Sequence, residues 1–209
     1  MSAKLISHKE SKEARQRATK IIENVRKHSN IHDNYIFFHR PIGSGKRRCI
    51  VKDKDGKYDL DYQIVLTKNS KSGDSNPSKI KADFLQAFTD CKNSNEKVEN
   101  STTVVTVRSS KSKDSFDPKL EKYSFDFVII SIDENMRIKR NGQNSYTWTE
   151  LPSKNSYIYK KFAKLSGREQ RDLLEEYIIP RIIEEKNKDQ SIRVPTIDIF
   201  LQEVNNRVK

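Results

Sequence analysis

The chain has 209 residues, which is enough for one domain of ordinary size or for one domain with a small second lobe. It has no apolar run near the length of a membrane span and no apolar signal segment. Its two cysteines, Cys49 and Cys91, are too few for a disulfide framework. We therefore expect a cytoplasmic protein without a membrane partner. The formal net charge of +12 is compatible with a solvated basic face and with a polyanionic partner. Residues 1–57 contain fifteen Lys and Arg against six Asp and Glu, and this local excess favours a nucleotide, RNA or DNA as the partner.

The first half of the chain alternates between helical and extended patterns. Apolar residues at helical spacing predict an amphipathic helix over 11–28, and aromatic and β-branched runs predict strands over 34–40 and 57–66. Pro41 is predicted to end the first of these strands, because proline cannot donate to a sheet ladder. Asn76 as the N-cap and Pro77 as the first helical residue then predict a helix that runs to about Asp90.

The second half contains more strands and then changes character. Residues 101–109 and 122–132 predict strands, and Asn141-Gly142 predicts a hairpin within 136–148 because both residues tolerate positive φ. The last third predicts helices over 154–165, 168–186 and 196–208, with Pro180 kinking or splitting the second. The pattern therefore predicts an α+β fold: a mixed-sheet core with an N-terminal helix in residues 1–150, and a small helical lobe in residues 151–209.

The stretch RPIGSGKRRC, residues 40–49, is similar to a phosphate-binding loop but does not match one. The P-loop pattern GxxxxGK[ST] needs an early Gly for the tight turn and a hydroxyl after the Lys for Mg²⁺. Arg40 stands at the first Gly position and Arg47 replaces the hydroxyl. The stretch therefore requires a different explanation.

Three acidic residues on two predicted strands form the candidate reaction centre. Asp59 and Asp61 flank Leu60, so both carboxylates project from one face of the strand. Asp126 lies in the apolar run SFDFVII, where an acid needs a partner. If the two strands are neighbours, the three carboxylates converge, and such a set can hold two Mg²⁺ or Mn²⁺ ions for phosphoryl transfer. The alternative is that Asp59 and Asp61 are exposed strand acids and that Asp126 is salt-bridged.

These residues give the chain a resemblance to a known superfamily. Gly43-Ser44, then Asp59-Leu60-Asp61, then Asp126 resemble the signature of the nucleotidyltransferase superfamily, the polymerase-β-like fold. Within it the chain is most similar in appearance to the group containing cyclic GMP-AMP synthase, oligoadenylate synthase and the bacterial cyclic-oligonucleotide synthases. The segments YTWTELPSKNSYIYKKF and RVPTIDIFLQEV resemble the helical lobe of that group.

The resemblance implies an activity and a set of roles. Asp59 and Asp61 would bind both metal ions, and Asp126 would bind one and assist deprotonation of the attacking hydroxyl. Gly43 and Ser44 would hold the triphosphate of a nucleoside triphosphate substrate, with Lys46 adding charge, and pyrophosphate would leave. The basic run at Lys46 could equally be an exposed strand edge.

Two further predictions come from the helical lobe and from its size. Lys161 could contact phosphate, and Tyr157 and Tyr159 could stack on a base, although core packing also explains the tyrosines. The group's lobe has more helices than residues 151–209 provide, so a homodimer, a second protein or nucleic acid would complete acceptor binding.

Several functions remain compatible with the sequence. The product could be a cyclic or linear oligonucleotide signal made in antiviral defence, or the enzyme could be of the toxin type that nucleotidylates RNA or protein. A catalytically inactive, basic nucleic-acid-binding module of the same fold is the alternative from another class. An interaction protein would use the stripe Ile197, Phe200, Leu201 and Val204, which core packing explains as well.

Overall fold

The structure is a computed structural model that describes residues 2–47, 49–67, 76–112, 114–131, 133–151, 156–188 and 194–208. The strands in chain order are β1 (Lys4–Leu5), β2 (Phe37–Ile42), β3 (Val51–Lys52), β4 (Tyr58–Leu66), β5 (Glu96–Asn100), β6 (Val104–Ser110), β7 (Glu121–Ile130), β8 (Met136–Arg140) and β9 (Tyr146–Glu150). The α-helices are α1 (His8–Lys27), α2 (Ser29–His32), α3 (Gly43–Arg47), α4 (Pro77–Cys91), α5 (Ser156–Lys164), α6 (Gly167–Leu173), α7 (Ile179–Asn187) and α8 (Thr196–Arg207).

The chain divides into two compact units, which we describe separately. The sheet unit comprises residues 8–42 and 59–151, and the helical unit comprises residues 1–7, 43–58 and 152–209. The sequence pattern places a single boundary near residue 150. In the structure two earlier segments, residues 1–7 and 43–58, group with the helical lobe, because β1 and β3 pair with each other and contact α7.

The sheet unit contains a mixed sheet with strand order β2-β4-β7-β6-β5, and β8 and β9 continue from β7. The pairs β2–β4, β5–β6, β6–β7, β7–β8 and β8–β9 are antiparallel. β4 and β7 are neighbours whose contacts run in the same order along both strands. Asp59, near the start of β4, contacts Ser124, and Val65, near its end, packs with the later residues Val128 and Ile130. This order is typical of a parallel pair at the centre of the sheet, and it confirms the predicted α+β class.

One face of this sheet packs against α1 and α4. The apolar stripe of α1 is fully buried, and α4 contributes Phe84 and Phe88. Phe88 stacks on Phe127 of β7 with ring centroids 4.5 Å apart, and Phe84 meets Phe37 of β2 edge to face at 5.5 Å. Because side chains alternate along a strand, the residues between these aromatics project from the opposite face.

Most predicted elements of the sheet unit are confirmed. The helix predicted over 11–28 is α1, and Asn76 caps α4 by accepting a hydrogen bond from the Lys79 backbone N–H at 3.0 Å. The prediction that Pro41 ends its strand is wrong, because β2 continues to Ile42. β2 is the outer strand in the strand order, where a missing N–H on the open side costs no ladder hydrogen bond.

The predicted hairpin between β8 and β9 is confirmed, but its turn is longer than Asn141-Gly142 suggests. Five residues, 141–145, connect the strands, and the Asn141 N–H donates to the Ser145 carbonyl at 2.8 Å. Positive φ occurs at Gly142 (101°) and at Asn144 (59°). A two-residue turn of the Asn-Gly type needs positive φ at two adjacent residues. Here the two residues with positive φ are separated by one residue, so the connection is a longer loop.

Sequence patterns did not reveal β5 or the two short strands β1 and β3. β5 reads EKVEN, with one apolar residue, so its alternation is invisible. Its first residue, Glu96, has a buried side chain that accepts two hydrogen bonds from Arg17 of α1, at 2.8 and 2.5 Å. β5 is defined by its antiparallel pairing with β6, and a buried ion pair joins its first residue to α1.

The helical unit buries the inward faces of α5, α7 and α8 around Phe200, which contacts Tyr159 and Phe162 at centroid distances of 5.6 and 5.1 Å. Core packing thus explains most of the stripe on α8, where Ile197 alone of the four is exposed, at 37%. The predicted long helix continues without a gap through α6, a π-helical turn at Leu174–Ile178, and α7, and its junction residues Leu174 and Ile179 are in the αR conformation. Pro180 therefore does not split it but is accommodated by the π-helical turn, because proline has no N–H for the α-helical hydrogen bond to the preceding turn. Among the described residues, no helix is both long and apolar enough to cross a membrane.

Candidate active site

The predicted aspartates lie on the face of the sheet opposite α1 and α4. Asp59 is exposed and Asp61 is half-buried, whereas Leu60 between them is buried. The neighbouring strand β7 has the same alternation, with buried Phe125 and Phe127 on either side of Asp126. Strand geometry therefore places all three carboxylates on one face of adjacent strands, as the spacing predicts.

A hydroxyl from β7 links Asp59 to Asp126. Ser124 stands two residues before Asp126 and so shares its face of the strand, and its Oγ donates a hydrogen bond to Asp59 Oδ1. The negative charge of Asp59 also acts on the Asp126 carboxyl. The structure thus brings these two carboxylates together.

Asp126 is half-buried and accepts a second strand hydroxyl. Thr106 of β6 lies directly across the ladder from it, and Thr106 Oγ1 donates to Asp126 Oδ1 at 2.7 Å. Burial raises the pKa of the Asp126 carboxyl, and the charge of Asp59 acts in the same direction, while the hydrogen bond from Thr106 lowers it. The Asp126 carboxylate therefore accepts a proton more readily than an exposed Asp does.

The third aspartate, Asp61, lies on the same strand as Asp59. Asp61 shares the face of Asp59 and lies opposite Ile42 of β2. Within the part of the chain that the structure describes, no three His, Cys, Asp or Glu side chains form a group that could hold a metal ion. The Asp59 and Asp126 pair does fit a divalent cation in its chemistry, because both are hard oxygen donors and their like charges repel each other. The three-carboxylate metal site remains a prediction.

A charged network lies beside Asp126 on the same face. Arg108 of β6 pairs across the ladder with Ser124, and its guanidinium contacts Glu99 at 2.8 Å and Glu121 at 2.7 Å. The hydrogen bond to Glu99 and that to Glu121 raise the pKa of Arg108, so the cation is held beside the carboxylates at all accessible pH values.

Thr106, Arg108 and Ser124 are site residues that the motifs in the sequence do not include. A local signal is present, because polar and apolar residues alternate in VTVR of β6 and in SFDF of β7. Which polar strand residues meet across the sheet depends on the ladder register, and only the structure supplies that.

The Gly-Ser turn lies in the helical unit. Gly43 begins the five-residue helix α3 with φ of 60°, a left-handed conformation that glycine adopts without steric cost. The Ser44 carbonyl accepts a hydrogen bond from the Cys49 N–H at 3.1 Å, and Lys46 is exposed. The position of this turn relative to the aspartates of the sheet unit, and so its role in binding nucleotide, remains a prediction.

Lys161 has a structural contact in the helical unit. Its Nζ donates to the Val208 carbonyl at 3.0 Å, at the C-terminal end of α8, and lies 4.9 Å from the centroid of the Tyr157 ring. A cation at this end of a helix is favourable because the last carbonyls lack partners within the helix. Phosphate binding by Lys161 would have to compete with this contact.

A buried lysine lies on α4 in the sheet unit. The side chain of Lys81 is 1% exposed, and none of the described residues accepts a hydrogen bond from its Nζ. The amine stands 5.8 Å from the centroid of Tyr146, a ring that Arg140 also approaches. Burial, with a smaller contribution from the charge of Arg140, lowers the pKa of Lys81 to about 7, and the charge of Asp126 opposes this shift.

Lys81→Met is expected to stabilise the protein at neutral pH, by an amount that shrinks as the pH rises. Between the folded pKa of about 7 and the unfolded value near 10, the unfolded state binds one proton more than the folded state, so wild-type stability rises with pH by up to about 1.4 kcal/mol per unit. Urea unfolding of both proteins at pH 7 and pH 9 checks this. A difference in unfolding free energy that stays constant between the two pH values would contradict it.

Comparisons with known proteins were made by sequence and by structure. No family model and no curated protein matches the sequence. The structure is similar to the DncV cyclic AMP-GMP synthase of Vibrio cholerae bound to nonhydrolyzable GTP, with a TM-score of 0.53 and 9% identity over 98% of this chain and 74% of that chain. It is also similar to DncV in complex with GTP and 5MTHFGLU2 (TM-score 0.55, 8% identity, 98% and 75%).

A further match is to the CD-NTase CdnG of Bradyrhizobium diazoefficiens in complex with GTP, with a TM-score of 0.50 and 13% identity over 73% of this chain and 40% of that chain. The chain therefore has the polymerase-β-like nucleotidyltransferase fold, which confirms the fold expected from the Gly-Ser and DxD motifs. The matches named here are to a cyclic AMP-GMP synthase and to a CD-NTase, and at identities of 8–13% the likeness shows the fold.

Proposed function

We propose that this protein is a divalent-metal-dependent nucleotidyltransferase that moves a nucleoside monophosphate from a nucleoside triphosphate to a hydroxyl acceptor and releases pyrophosphate. The observation that carries the proposal is the juxtaposition of Asp59 and Asp126 on the adjacent strands β4 and β7. Two carboxylates on one polar face, in a fold shared with synthases that were solved with GTP or ATP, support phosphoryl transfer at this face.

In this proposal Asp59, Asp61 and Asp126 hold Mg²⁺ or Mn²⁺. The ion, when bound, supplies positive charge to the phosphates and the leaving group. The acceptor oxygen forms a bond to the α-phosphorus as the bond from that phosphorus to the pyrophosphate oxygen breaks. The hydroxyl proton passes to Asp126, the carboxylate to which the resemblance assigns this step.

Substrate binding is assigned to the helical unit and to the basic N-terminal part of the chain. Gly43 and Ser44 would present backbone N–H groups to the triphosphate, with Lys46 nearby in sequence. We propose a cytoplasmic enzyme whose product is a cyclic or linear oligonucleotide used in antiviral defence. RNA, DNA or a second copy of the chain would complete acceptor binding.

A second candidate is a nucleic-acid-binding module that has the fold without the activity. It is favoured by the net charge of +12, which attracts polyanions such as RNA and DNA. This candidate predicts binding of RNA or DNA that weakens steeply with salt and that does not depend on divalent ions.

One experiment separates the two candidates. The purified protein is incubated with all four ribonucleoside triphosphates and Mg²⁺ or Mn²⁺, with and without RNA or DNA, and pyrophosphate and products are followed by mass spectrometry. The proposed enzyme releases pyrophosphate and forms a phosphodiester product whose mass identifies the acceptor. If no condition yields pyrophosphate above a sample treated with chelator, the transferase proposal is overturned.

A further inference from the structure

Each of the two paired aspartates accepts a hydrogen bond from a strand hydroxyl. Ser124 Oγ donates to Asp59 Oδ1, and Thr106 Oγ1 donates to Asp126 Oδ1 at 2.7 Å. Both hydroxyl residues are buried, at 3% and 4% exposure. In both cases the acceptor is a carboxylate on another strand. Ser and Thr hydroxyls more commonly bond to nearby backbone groups.

The geometry of the sheet makes these contacts rigid. Thr106 and Asp126 are directly opposite in the β6–β7 ladder, where facing Cβ atoms lie about 4.5–5.5 Å apart. The β-branched side chain of Thr106 has few χ1 rotamers, which limits the directions that its hydroxyl can take. The same Oγ1 also lies 3.4 Å from Ser101 Oγ, the only other hydroxyl that it contacts among the described residues. Ser124 reaches the neighbouring strand β4, so the two bonds tie β6, β7 and β4 together through side chains.

A hydroxyl on one oxygen restricts the rotation of the whole carboxylate. An ionised carboxylate has two oxygens with about four acceptor positions, so one hydrogen bond leaves the second oxygen available to another ligand. Supporting contacts of this kind orient metal ligands in proteins, and their loss typically weakens metal affinity by 10–100-fold. A purely structural hydroxyl would affect unfolding and leave ion affinity unchanged.

We propose that Thr106 and Ser124 are positioning residues that orient the Asp126 and Asp59 carboxylates for a divalent cation. The proposal rests on the function proposed above, because it deepens the same site. It predicts that removing either hydroxyl lowers the affinity for the ion by more than the accompanying loss of folding stability can explain.

The test compares Thr106→Val, which keeps the shape but removes the hydroxyl, with Thr106→Ser, which keeps the hydroxyl. Binding of Mn²⁺ to the protein without nucleotide is measured from the free-ion EPR signal, and stability from urea unfolding. We expect Thr106→Val to weaken Mn²⁺ binding by roughly 10-fold or more and Thr106→Ser to recover most of the loss. Ser124→Ala is expected to act in the same direction.

Thr149→Val is the matched control, because the Thr149 hydroxyl donates to the backbone carbonyl of Arg137 at 3.3 Å in the same sheet. Its Mn²⁺ affinity should equal that of the wild type. Wild-type Mn²⁺ affinity in Thr106→Val, with reduced stability alone, would overturn the positioning role, and so would a wild type that binds no Mn²⁺.

Pyrophosphate release against Mg²⁺ concentration is recorded for the same variants. If the wild type binds Mn²⁺ but never releases pyrophosphate, the proposed function is refuted. In that case the EPR comparison of the variants still tests the positioning role. If the enzyme is active, Thr106→Val should need a higher Mg²⁺ concentration for half-maximal rate, and Thr106→Ser should not.

Discussion

Asp126→Asn is expected to lower the rate of pyrophosphate release by roughly 100-fold or more, since it removes both a proton acceptor and a charged metal ligand from the proposed site. The replacement keeps the size of the side chain and can still accept the hydrogen bond from Thr106. Initial rates with saturating nucleoside triphosphates and Mn²⁺, for variant and wild type side by side, measure the loss.

Stability separates this loss from misfolding. Burial and the charge of Asp59 both disfavour the ionised Asp126, so its neutral replacement should unfold at the same urea concentration as the wild type or a higher one. Asp172→Asn makes the same chemical change on an exposed helical residue with a weak 3.8 Å ion pair to Arg168, and it should leave the rate unchanged. More than a tenth of wild-type activity in Asp126→Asn would refute the assigned role.

Arg17→Met should destabilise the sheet unit by about 3–5 kcal/mol, which is the typical cost of leaving one partner of a buried ion pair without compensation. The Glu96 side chain is 1% exposed, and Arg17 supplies two of its hydrogen bonds, with the Asn93 N–H supplying a third at 2.8 Å. Urea unfolding monitored by circular dichroism gives the free energy of unfolding.

Two companion variants make this result specific. The double replacement Arg17→Met with Glu96→Met should be less destabilised than Arg17→Met alone, because it leaves no unpaired buried charge. Arg168→Met removes an arginine that is 91% exposed and should change stability by no more than about 0.5 kcal/mol. An Arg17→Met variant within about 1 kcal/mol of the wild type would show that Glu96 finds another partner.

The candidate site shows how far local patterns reach. Alternation along DLD and SFDF predicted that Asp59, Asp61 and Asp126 project from single faces of their strands, and the structure agrees. The same rule could have singled out Thr106 and Ser124. Their partners could not be found in this way, because cross-strand register is set by which strands pair, and that depends on contacts distant in sequence.

The helices show the same division between local and distant causes. The N-cap at Asn76 follows from local backbone chemistry, and that prediction was correct. Pro180 instead lies in a helix that continues, with a π-helical turn before it. The position of Lys161 differs, since nothing in its helical surroundings indicates that its amine would reach the carbonyl of Val208 at the end of α8.

The sequence by itself determined the α+β class, the strands that carry the acids and the resemblance that names the chemistry, because periodicity, capping and short motifs are properties of neighbouring residues. Only the tertiary structure decided that β5 exists, that residues 1–7 and 43–58 group with the helical lobe, and that Asp59 meets Ser124 while Asp126 meets Thr106. These features arise from pairing and burial between segments far apart in the chain, which no local pattern encodes.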